Sequence, residues 1–278
     1  MRVRRWMWIG LATASLSVVV ACTGGADGGG GEGDGTAIPE ATKIEDAGPA
    51  KLVSDGQLTV CVDAPKYPFA FQSSNGDWLG SDIEIMEYIA EDLDLELQVK
   101  VVPFDGIWQR PAAGECDLAA AALTITDARS TEALFSRSYL DANQALAVRT
   151  PDKASFGQLV RLAGKRIGVK SGTTSEEYLR AHLPTGGIVV PFEDTEAMFI
   201  ALGASEVDAV LSDLPIGGYR STLDSALSIT EVISTGEQYG FAAASENGGL
   251  VNEVNDSLGS YLESDDYRSL LSRWFGVR

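Results

Sequence analysis

The stretch that decides the fold is residues 117–129, DLAAAALTITDAR, where a short apolar run leads directly into a helix start. Asp117–Ala121 is typical of a buried strand, and Thr126 is a candidate N-cap because its hydroxyl can accept from a backbone N–H of the next turn. Free N–H groups are then expected near Thr124. Arg129 falls in the first helical turn, where a cation is unfavourable beside the positive end of the helix dipole. This position indicates that Arg129 receives a carboxylate.

A second stretch of the same kind lies at residues 166–177, RIGVKSGTTSEE. Thr173 and Thr174 are each spaced to form a capping box with a glutamate three residues later. A well-capped helix explains one of these threonines, but it does not require Gly172, which would let the backbone approach a ligand. This strand end is therefore a second candidate for ligand contact.

Asp213 ends a third run of this type, at the carboxyl edge of a predicted strand, where α/β sheets place their ligands. The alternative is that Asp213 only caps the helix that begins around Pro215. Together with Arg129, Asp213 provides the opposite charges that suit a zwitterion.

Working outward, short apolar runs alternate with helical patterns, which predicts parallel sheets covered by helices in an α/β fold. The first set consists of strands at Leu58–Val62, Glu96–Val102 and Asp117–Ala121 and helices at Asp82–Leu93, Asp105–Ala113 and Thr126–Leu134. The second set consists of strands at Arg166–Lys170, Ile188–Pro191 and Val207–Leu211 and helices at Thr174–His182, Thr195–Gly203 and Leu214–Thr222.

The repeated order predicts two lobes joined by a two-segment hinge. Lobe 1 is expected to comprise residues 52–147 and 245–278, and lobe 2 residues 148–244. Asn143–Arg149 and Tyr239–Ala244 are interpreted as the hinge crossovers. The tail from Leu250 to Phe275 is expected to return as helix and pack on lobe 1.

The N-terminus has the pattern of a targeting signal. Three arginines precede an uncharged apolar run, Trp6–Val20, that is too short for a membrane span. The run ends in Val19-Val20-Ala21-Cys22, which resembles a bacterial lipobox, so residues 1–22 are predicted to be a lipoprotein signal with lipid on Cys22. The alternative is an ordinary secretory signal cleaved near Ala21. Either form takes the mature chain out of the cytoplasm.

Residues 23–51 are rich in glycine and acidic residues and are predicted to be a flexible tether with a reach of about 30 Å. Removal of residues 1–21 leaves 18 Lys and Arg against 40 Asp and Glu, a net charge of −22. Nucleic acid is therefore not expected as a partner.

If Cys22 carries lipid, Cys61 and Cys116 remain as a pair in an oxidising compartment, and they are predicted to form a disulfide. Closing a loop of that length would stabilise the fold by about 4 kcal/mol in the chain-entropy model. The alternative is two buried free thiols.

Few residues favour catalysis. His182 is the single histidine, and its place at a helix end suits a structural role. No nucleophile motif, metal-spaced cluster or phosphate-binding glycine loop is found, so no catalytic residue, metal or cofactor is predicted. Two carboxylates acting as acid and base remain an alternative.

These motifs together resemble the amino-acid-binding class of periplasmic-type solute-binding proteins of ABC importers, in particular glutamine-binding proteins. The residues that carry the resemblance span about 56–278 and are Leu58–Asp63, Pro68-Phe69, Leu79–Asp82, Phe104-Asp105-Gly106, Asp117–Arg129, Lys170–Thr174, Asp208–Asp213 and Arg273–Gly276. The resemblance implies the type II periplasmic-binding-protein fold. It also implies a monomer that closes around a polar amino acid, glutamine- or glutamate-like, and passes it to membrane permease subunits.

The same resemblance implies roles for individual residues. The ligand carboxylate is expected to meet Arg129, Thr124 and the backbone at Thr173, and the ligand ammonium to meet Asp213 and the carbonyl of Ala122. The resemblance further implies that Phe104 covers the apolar stem of the ligand and that Asp63 and Lys170 reach its side chain.

This sequence departs from the family where an aromatic residue usually stands two positions before Pro68-Phe69, because it has Lys66 there. Either the stacking wall is missing, or the loop shifts by one residue and Tyr67 takes that place. Lys66 is then either a surface partner of Asp63 or a group that draws an anionic side chain into the pocket. The two alternatives to transport are an enzyme on the same fold, resembling cyclohexadienyl dehydratases, and a ligand-sensing subunit of a membrane receptor.

Overall fold

The structure, a computed structural model, describes residues 43–277. The predicted signal peptide, Cys22 and most of the predicted tether lie outside the described residues. No helix in the described part of the chain is long and apolar enough to cross a membrane.

Secondary structure alternates along the described chain much as the apolar pattern predicts. The strands are β1 Gln57–Val62, β2 Phe71–Gln72, β3 Trp78–Leu79, β4 Glu96–Val101, β5 Leu118–Ala119, β6 Leu134–Phe135, β7 Leu140–Asp141, β8 Gln144–Arg149, β9 Arg166–Lys170, β10 Ile188–Phe192, β11 Ala209–Asp213, β12 Leu227–Ile233, β13 Gln238–Tyr239 and β14 Ala242–Ala243. The α-helices are α1 Ser81–Asp92, α2 Asp127–Ser130, α3 Lys153–Phe156, α4 Thr174–Ala181, α5 Thr195–Gly203, α6 Leu214–Leu223, α7 Gly248–Leu262 and α8 Asp265–Phe275. Short 3-10 turns lie at Ile107–Gln109, Thr150–Asp152 and Leu159–Arg161.

The first sheet has the strand order β4-β1-β5-β14-β6. Its strand β1 is parallel to β4, from Gln57 opposite Glu96 to Val62 opposite Val101, and parallel to β5 on its other side. The predicted disulfide between Cys61 and Cys116 is confirmed, with the two Cα atoms 5.7 Å apart. The adjacent strands β1 and β5 bring the two cysteines together.

The second sheet has the order β10-β9-β11-β8-β12, with β9, β10 and β11 parallel and β8 and β12 antiparallel to the strand beside them. All five residues of β11 are buried. A central strand covered by helices on both faces has this pattern. Strand Arg166–Lys170 and helix Thr195–Gly203 have the predicted bounds.

The hinge differs from the expectation. Gln144–Arg149 is not a crossover but strand β8, which lies between β11 and β12 in the second sheet and pairs with both. Its apolar side chains are buried. Similarly, Ala242–Ala243 pairs with β5 and β6 in the first sheet. The chain crosses between the sheets at β7 and β13, which pair with each other in a separate two-stranded ribbon.

Three predicted helices are also corrected. The segment 105–113 forms only the 3-10 turn Ile107–Gln109, which begins after Gly106 in the left-handed region (φ 66°). The helix predicted at 126–134 ends at Ser130, and Leu134–Phe135 is strand β6. The C-terminal tail breaks into α7 and α8, because Ser264 starts a new helix by accepting from the backbone N–H of Tyr267 at 3.2 Å.

The end of the predicted tether is bound to the first lobe. The backbone of Ile44 exchanges two hydrogen bonds with the side-chain amide of Asn252, at 2.9 and 3.0 Å. The backbone of Lys51 does the same with Asn247, at 3.1 and 2.8 Å. Gly249 makes this approach possible, since a Cβ there would lie 2.4 Å from the carbonyl oxygen of Gly48. Within the described residues, the prediction of a free tether up to residue 51 is therefore wrong.

Candidate ligand-binding site

A cavity lies between the two lobes. The segments that line it follow the carboxyl ends of β1, β4, β5, β9, β10 and β11, which is where open α/β sheets bind ligands. Its lining residues are Lys66, Phe104, Ala122, Thr124, Arg129, Lys170, Thr173, Thr174, Ser175, Thr195, Met198, Leu211, Ser212, Asp213 and Ile216.

Arg129 is held at the cavity by the start of α2. Its backbone N–H donates to the hydroxyl of Thr126, the predicted N-cap, at 3.2 Å. Its guanidinium donates from Nη1 to the carbonyl of Thr124 at 2.8 Å and from Nη2 to the carbonyl of Gly172 at 3.3 Å, and it lies 4.8 Å from the ring centroid of Trp108. Burial lowers the pKa of Arg129, and nearby carboxylates oppose this effect. The cation is thus positioned by neutral acceptors and an aromatic face.

Asp213 ends β11 and enters the cavity from the second lobe. It occupies the N-cap position of α6, but its carboxylate makes no capping hydrogen bond. Instead Oδ1 accepts from Gln144 Nε2 at 2.6 Å and from Ser175 Oγ at 3.1 Å, and Oδ2 accepts from the hydroxyl of Tyr239. Three neutral donors therefore aim this carboxylate, and the simple capping alternative does not describe it.

Ala122 lines the cavity in a conformation that a distant carboxylate maintains. Its φ of 47° lies in the left-handed region, which is costly for a residue with a Cβ. Its N–H donates to Asp82 Oδ2 at 2.8 Å, while Oδ1 accepts from the hydroxyl of Tyr139 at 2.6 Å. Asp82 is completely buried, and burial raises its pKa against the effect of these hydrogen bonds. The sequence analysis assigned no role at the site to Asp82.

Lys66, rather than Tyr67, lines the cavity. The Lys66 side chain is buried, with Nζ donating to the carbonyl of Ala121 at 2.6 Å and lying 4.2 Å from the ring centroid of Phe104. The Tyr67 ring packs on Phe71 at a centroid distance of 4.4 Å and does not contribute to the cavity wall. The loop therefore does not shift by one residue to replace the aromatic wall.

Asp63 and Lys170 contact each other across the cleft. Lys170 Nζ, in the second lobe, forms an ion pair with Asp63 Oδ2, in the first. Lys170 lines the cavity, whereas Asp63 lies behind it. This pair links the lobes directly, a contact that was not expected from the sequence.

The β9–α4 connection presents hydroxyl groups to the cavity. Thr173 caps α4, with its Oγ1 accepting from the backbone N–H of Glu176 at 3.3 Å, as the spacing predicts. Thr174 instead turns its hydroxyl towards that of Thr124, 3.5 Å away across the cleft. Gly172 has a φ of 71°, so its backbone conformation accounts for the glycine.

Comparison with known proteins identifies the family. The sequence model of the bacterial extracellular solute-binding proteins, family 3, matches residues 58–277. This chain belongs to that family. Its architecture is the type II periplasmic-binding-protein fold that the sequence predicts.

Individual relatives resemble this solute-binding protein over most of its length. The L-cystine-binding protein TcyJ of Escherichia coli K12 is 26% identical over 229 residues, 82% of this chain and 85% of that protein. The ABC transporter glutamine-binding protein GlnH of Bacillus subtilis is 29% identical, covering 72% of this chain and 74% of the relative. The structure of an ancestral arginine-binding protein bound to arginine is 31% identical and superposes with a TM-score of 0.73, over 80% of this chain and 99% of that one.

Sequence reasoning missed several polar residues at the site of this solute-binding protein. In addition to its hydrogen bond to Asp213, Gln144 donates from Nε2 to Glu237 Oε2 at 2.6 Å. The Oε1 atom of Gln144 accepts from the hydroxyl of Ser175 at 2.6 Å. One signal for Gln144 was available, since a polar residue heading the apolar strand QALAVR must find partners when it is buried. Ser175 and Thr195 carried no comparable signal.

The predicted structural role of His182 fits its surroundings. It follows the end of α4, exposed, with its ring stacked on Tyr178 at 4.0 Å and its Nδ1 2.9 Å from the Tyr178 carbonyl. Among residues 43–277 no group of three or more His, Cys, Asp or Glu side chains is arranged to hold a metal ion.

Proposed function

We propose that this protein captures a polar α-amino acid, glutamine- or glutamate-like, in the interlobe cleft and delivers it to the permease subunits of an ABC importer. The observation that carries the proposal is the pair of opposite charges, Arg129 and Asp213, at one cavity. Each is 6% exposed, and each is held by neutral hydrogen-bonding groups. An α-amino acid has the complementary pair of charges, an ammonium and a carboxylate group bonded to the same Cα atom.

The two lobes contribute different halves of this recognition. Arg129 in the first lobe can take both oxygens of the ligand carboxylate, because its planar fork matches a carboxylate. The hydroxyl of Thr124 stands in the same wall of the cavity. Asp213 and the Ala122 carbonyl are proposed to receive the ammonium group. Phe104, close to three cations of the site, is proposed to cover the aliphatic stem of the ligand.

Closure of the lobes is proposed to report that the ligand is bound. Contacts from Arg129 to the Gly172 carbonyl and from Lys170 to Asp63 join the two lobes in this structure, and we expect them to break when the cleft opens. A ligand shifts the open–closed equilibrium through contacts that exist mainly in the closed form. Thr173 and Asp213 belong to the second lobe, so the ligand bound to the first lobe would contact them only after closure. These two contacts would therefore couple capture of the ligand to recognition by the permease.

The location follows from the same proposal. The chain is proposed to act outside the cytoplasm as a monomer, anchored to the outer face of the cell membrane by lipid on Cys22. The disulfide between Cys61 and Cys116 supports an oxidising compartment. Because residues 44–51 are bound to the first lobe, a flexible link to Cys22 would have to lie before residue 44.

One observation favours the enzyme alternative. Burial lowers the pKa of Lys66 to about 8, with repulsion from Lys170 acting in the same direction. A lysine of this kind in a cleft is suited to general base catalysis. A cyclohexadienyl-dehydratase-like enzyme would turn over a substrate, whereas a binding protein returns its ligand unchanged. A ligand-sensing subunit would also return it, and co-purification with a receptor instead of a permease would distinguish that case.

Titration calorimetry tests the proposal. The purified protein, unfolded and refolded to remove ligand, is titrated with the common amino acids and with their decarboxylated analogues. We expect tight binding of a polar amino acid and loss of binding when its carboxylate is absent. Recovery of a chemically altered ligand would favour the enzyme, and the absence of binding to any α-amino acid would refute the proposal.

A further inference from the structure

Lys66 is fixed in place by its own loop. Its backbone N–H donates to the carbonyl of Ala70 at 2.8 Å, and its carbonyl accepts from the N–H groups of Phe69 and Ala70 at 2.8 and 3.0 Å. The side chain, 2% exposed, leads from this turn to the cavity wall. Of the three protons on its ammonium group, one is donated to Ala121, which leaves two donors for another acceptor.

Lys66 has no carboxylate within ion-pair distance among residues 43–277. The nearest candidate by sequence, Asp63, is engaged by Lys170. Three carboxylates raise the pKa of Lys66 by charge attraction: Asp63 most, then Asp213, then Asp82. Asp82 does not line the cavity, and burial raises its pKa, which disfavours its charged form.

The charges that line the cavity do not balance. Lys66, Arg129 and Lys170 are cationic, whereas Asp213 is the one anion that the described part of the chain contributes to the wall. Asp63 compensates Lys170 from behind. When a zwitterionic ligand occupies Arg129 with its carboxylate and Asp213 with its ammonium, the charge of Lys66 remains without a partner. A buried charge that lacks a partner is costly, so the site favours a ligand that brings one more negative charge.

We propose that the site selects α-amino acids whose side chain ends in a carboxylate, with Lys66 as the counter-ion of that carboxylate. The inference rests on the proposed function and adds the charge class of the ligand. Glutamine, which has the same shape as glutamate, offers Lys66 only a carbonyl dipole. Arginine would place a further cation near three cationic groups that all lie within 5.9 Å of the Phe104 ring centroid.

Calorimetry with matched ligands tests this selectivity. L-Glutamate, L-aspartate, L-glutamine, L-arginine and L-cystine are titrated separately into the refolded protein at pH 7. We expect one of the two acidic amino acids to bind roughly tenfold more tightly than glutamine, because hydrogen bonds between two charged groups are stronger than those to a neutral acceptor. In Lys66→Met the affinity ratio of acid to amide should fall to about one or below.

The matched control is Lys100→Met, which removes the same charge from the first lobe. Lys100 lies in β4 and pairs with Glu115 at 3.1 Å, outside the cavity. This variant should keep the ratio of the native protein. If Lys66→Met does not fold, Lys66→Gln provides the same comparison with a polar side chain.

A pH series on the unaltered protein needs no variant. Burial and the nearby Lys170 lower the pKa of Lys66 to about 8 against the attraction of Asp63, Asp213 and Asp82, so Lys66 loses most of its charge between pH 7 and pH 9. The ratio of glutamate to glutamine affinity should therefore fall by up to about tenfold over this range. The α-ammonium groups of the two ligands titrate alike, so their effect largely cancels in the ratio.

The outcomes separate this inference from the proposed function. If glutamine or arginine binds more tightly than both acids, or if Lys66→Met retains the preference for the acid, the inference is wrong while the proposed function stands. If no α-amino acid binds, both are refuted.

Discussion

Arg129 and Asp213 line the same cavity from different lobes, and neither forms an ion pair with another residue between positions 43 and 277. Carbonyl groups and an aromatic ring position Arg129, whereas an amide and two hydroxyl groups position Asp213. By contrast, Lys170 and Asp63 bring opposite charges together across the same cleft. The comparison shows that the charges positioned by neutral groups remain available to a ligand, while the paired charges serve to join the lobes.

The largest expected effect is that of Arg129→Ala. It would leave the ligand carboxylate in a desolvated cavity without its cation, and we expect the affinity for the amino acid to fall by about 4 kcal/mol, roughly a thousandfold. Titration calorimetry measures this directly. Arg161→Ala, which removes an exposed arginine from the second lobe, is the matched control and should bind normally. Tight binding by Arg129→Ala would show that the carboxylate lies elsewhere.

Asp213→Asn tests the second lobe with a smaller effect. The amide keeps the size of the side chain and can still accept from Gln144 and Ser175, but it removes the charge that we propose to bind the ligand ammonium. We expect a loss of about 2 kcal/mol in binding free energy, roughly thirtyfold. Asp224→Asn, at the far end of α6, should have no effect. An unchanged affinity in Asp213→Asn would show that Asp213 does not bind the ligand ammonium, unlike the role proposed for Arg129 with the carboxylate.

Asp63→Asn is expected to have the smallest effect, and to act on closure. It removes the pairing of a partly buried lysine across the cleft, so the closed form should lose about 1 kcal/mol relative to the open form. Small-angle scattering of the protein without ligand should then give a larger radius of gyration than the native protein gives. Glu115→Gln breaks an ion pair within the first lobe and should leave the radius unchanged. Equal radii for Asp63→Asn and the native protein would exclude the pair as a link between the lobes.

Local patterns in the sequence predicted much of the fold, because they depend on residues a few positions apart. Helical and strand periodicity located β9 and α5 at their observed bounds, and the capping roles of Thr126 and Thr173 follow from their spacing. The same patterns failed in loops. At 105–113, for example, helical spacing predicted a helix, but the chain forms only a short 3-10 turn after Gly106.

The hinge shows a different limit. The run 143–149 is apolar and extended, which suits a crossover and a buried strand equally well. It became a strand because β11 and β12 offered hydrogen-bonding partners on both sides, and those partners come from distant parts of the chain.

The sequence by itself determined the alternation of strands and helices, the cysteine pair and the two opposite charges, Arg129 in a first helical turn and Asp213 at a strand end. The tertiary structure decided how those charges are held and which neighbours complete the cavity. Asp213 meets Gln144, 69 residues away, and Lys170 meets Asp63, 107 residues away. Lys66, rather than Tyr67, entered the wall because its loop turns it towards Ala121 and Phe104. Such contacts depend on how separate loops pack against each other, and no local periodicity records that packing.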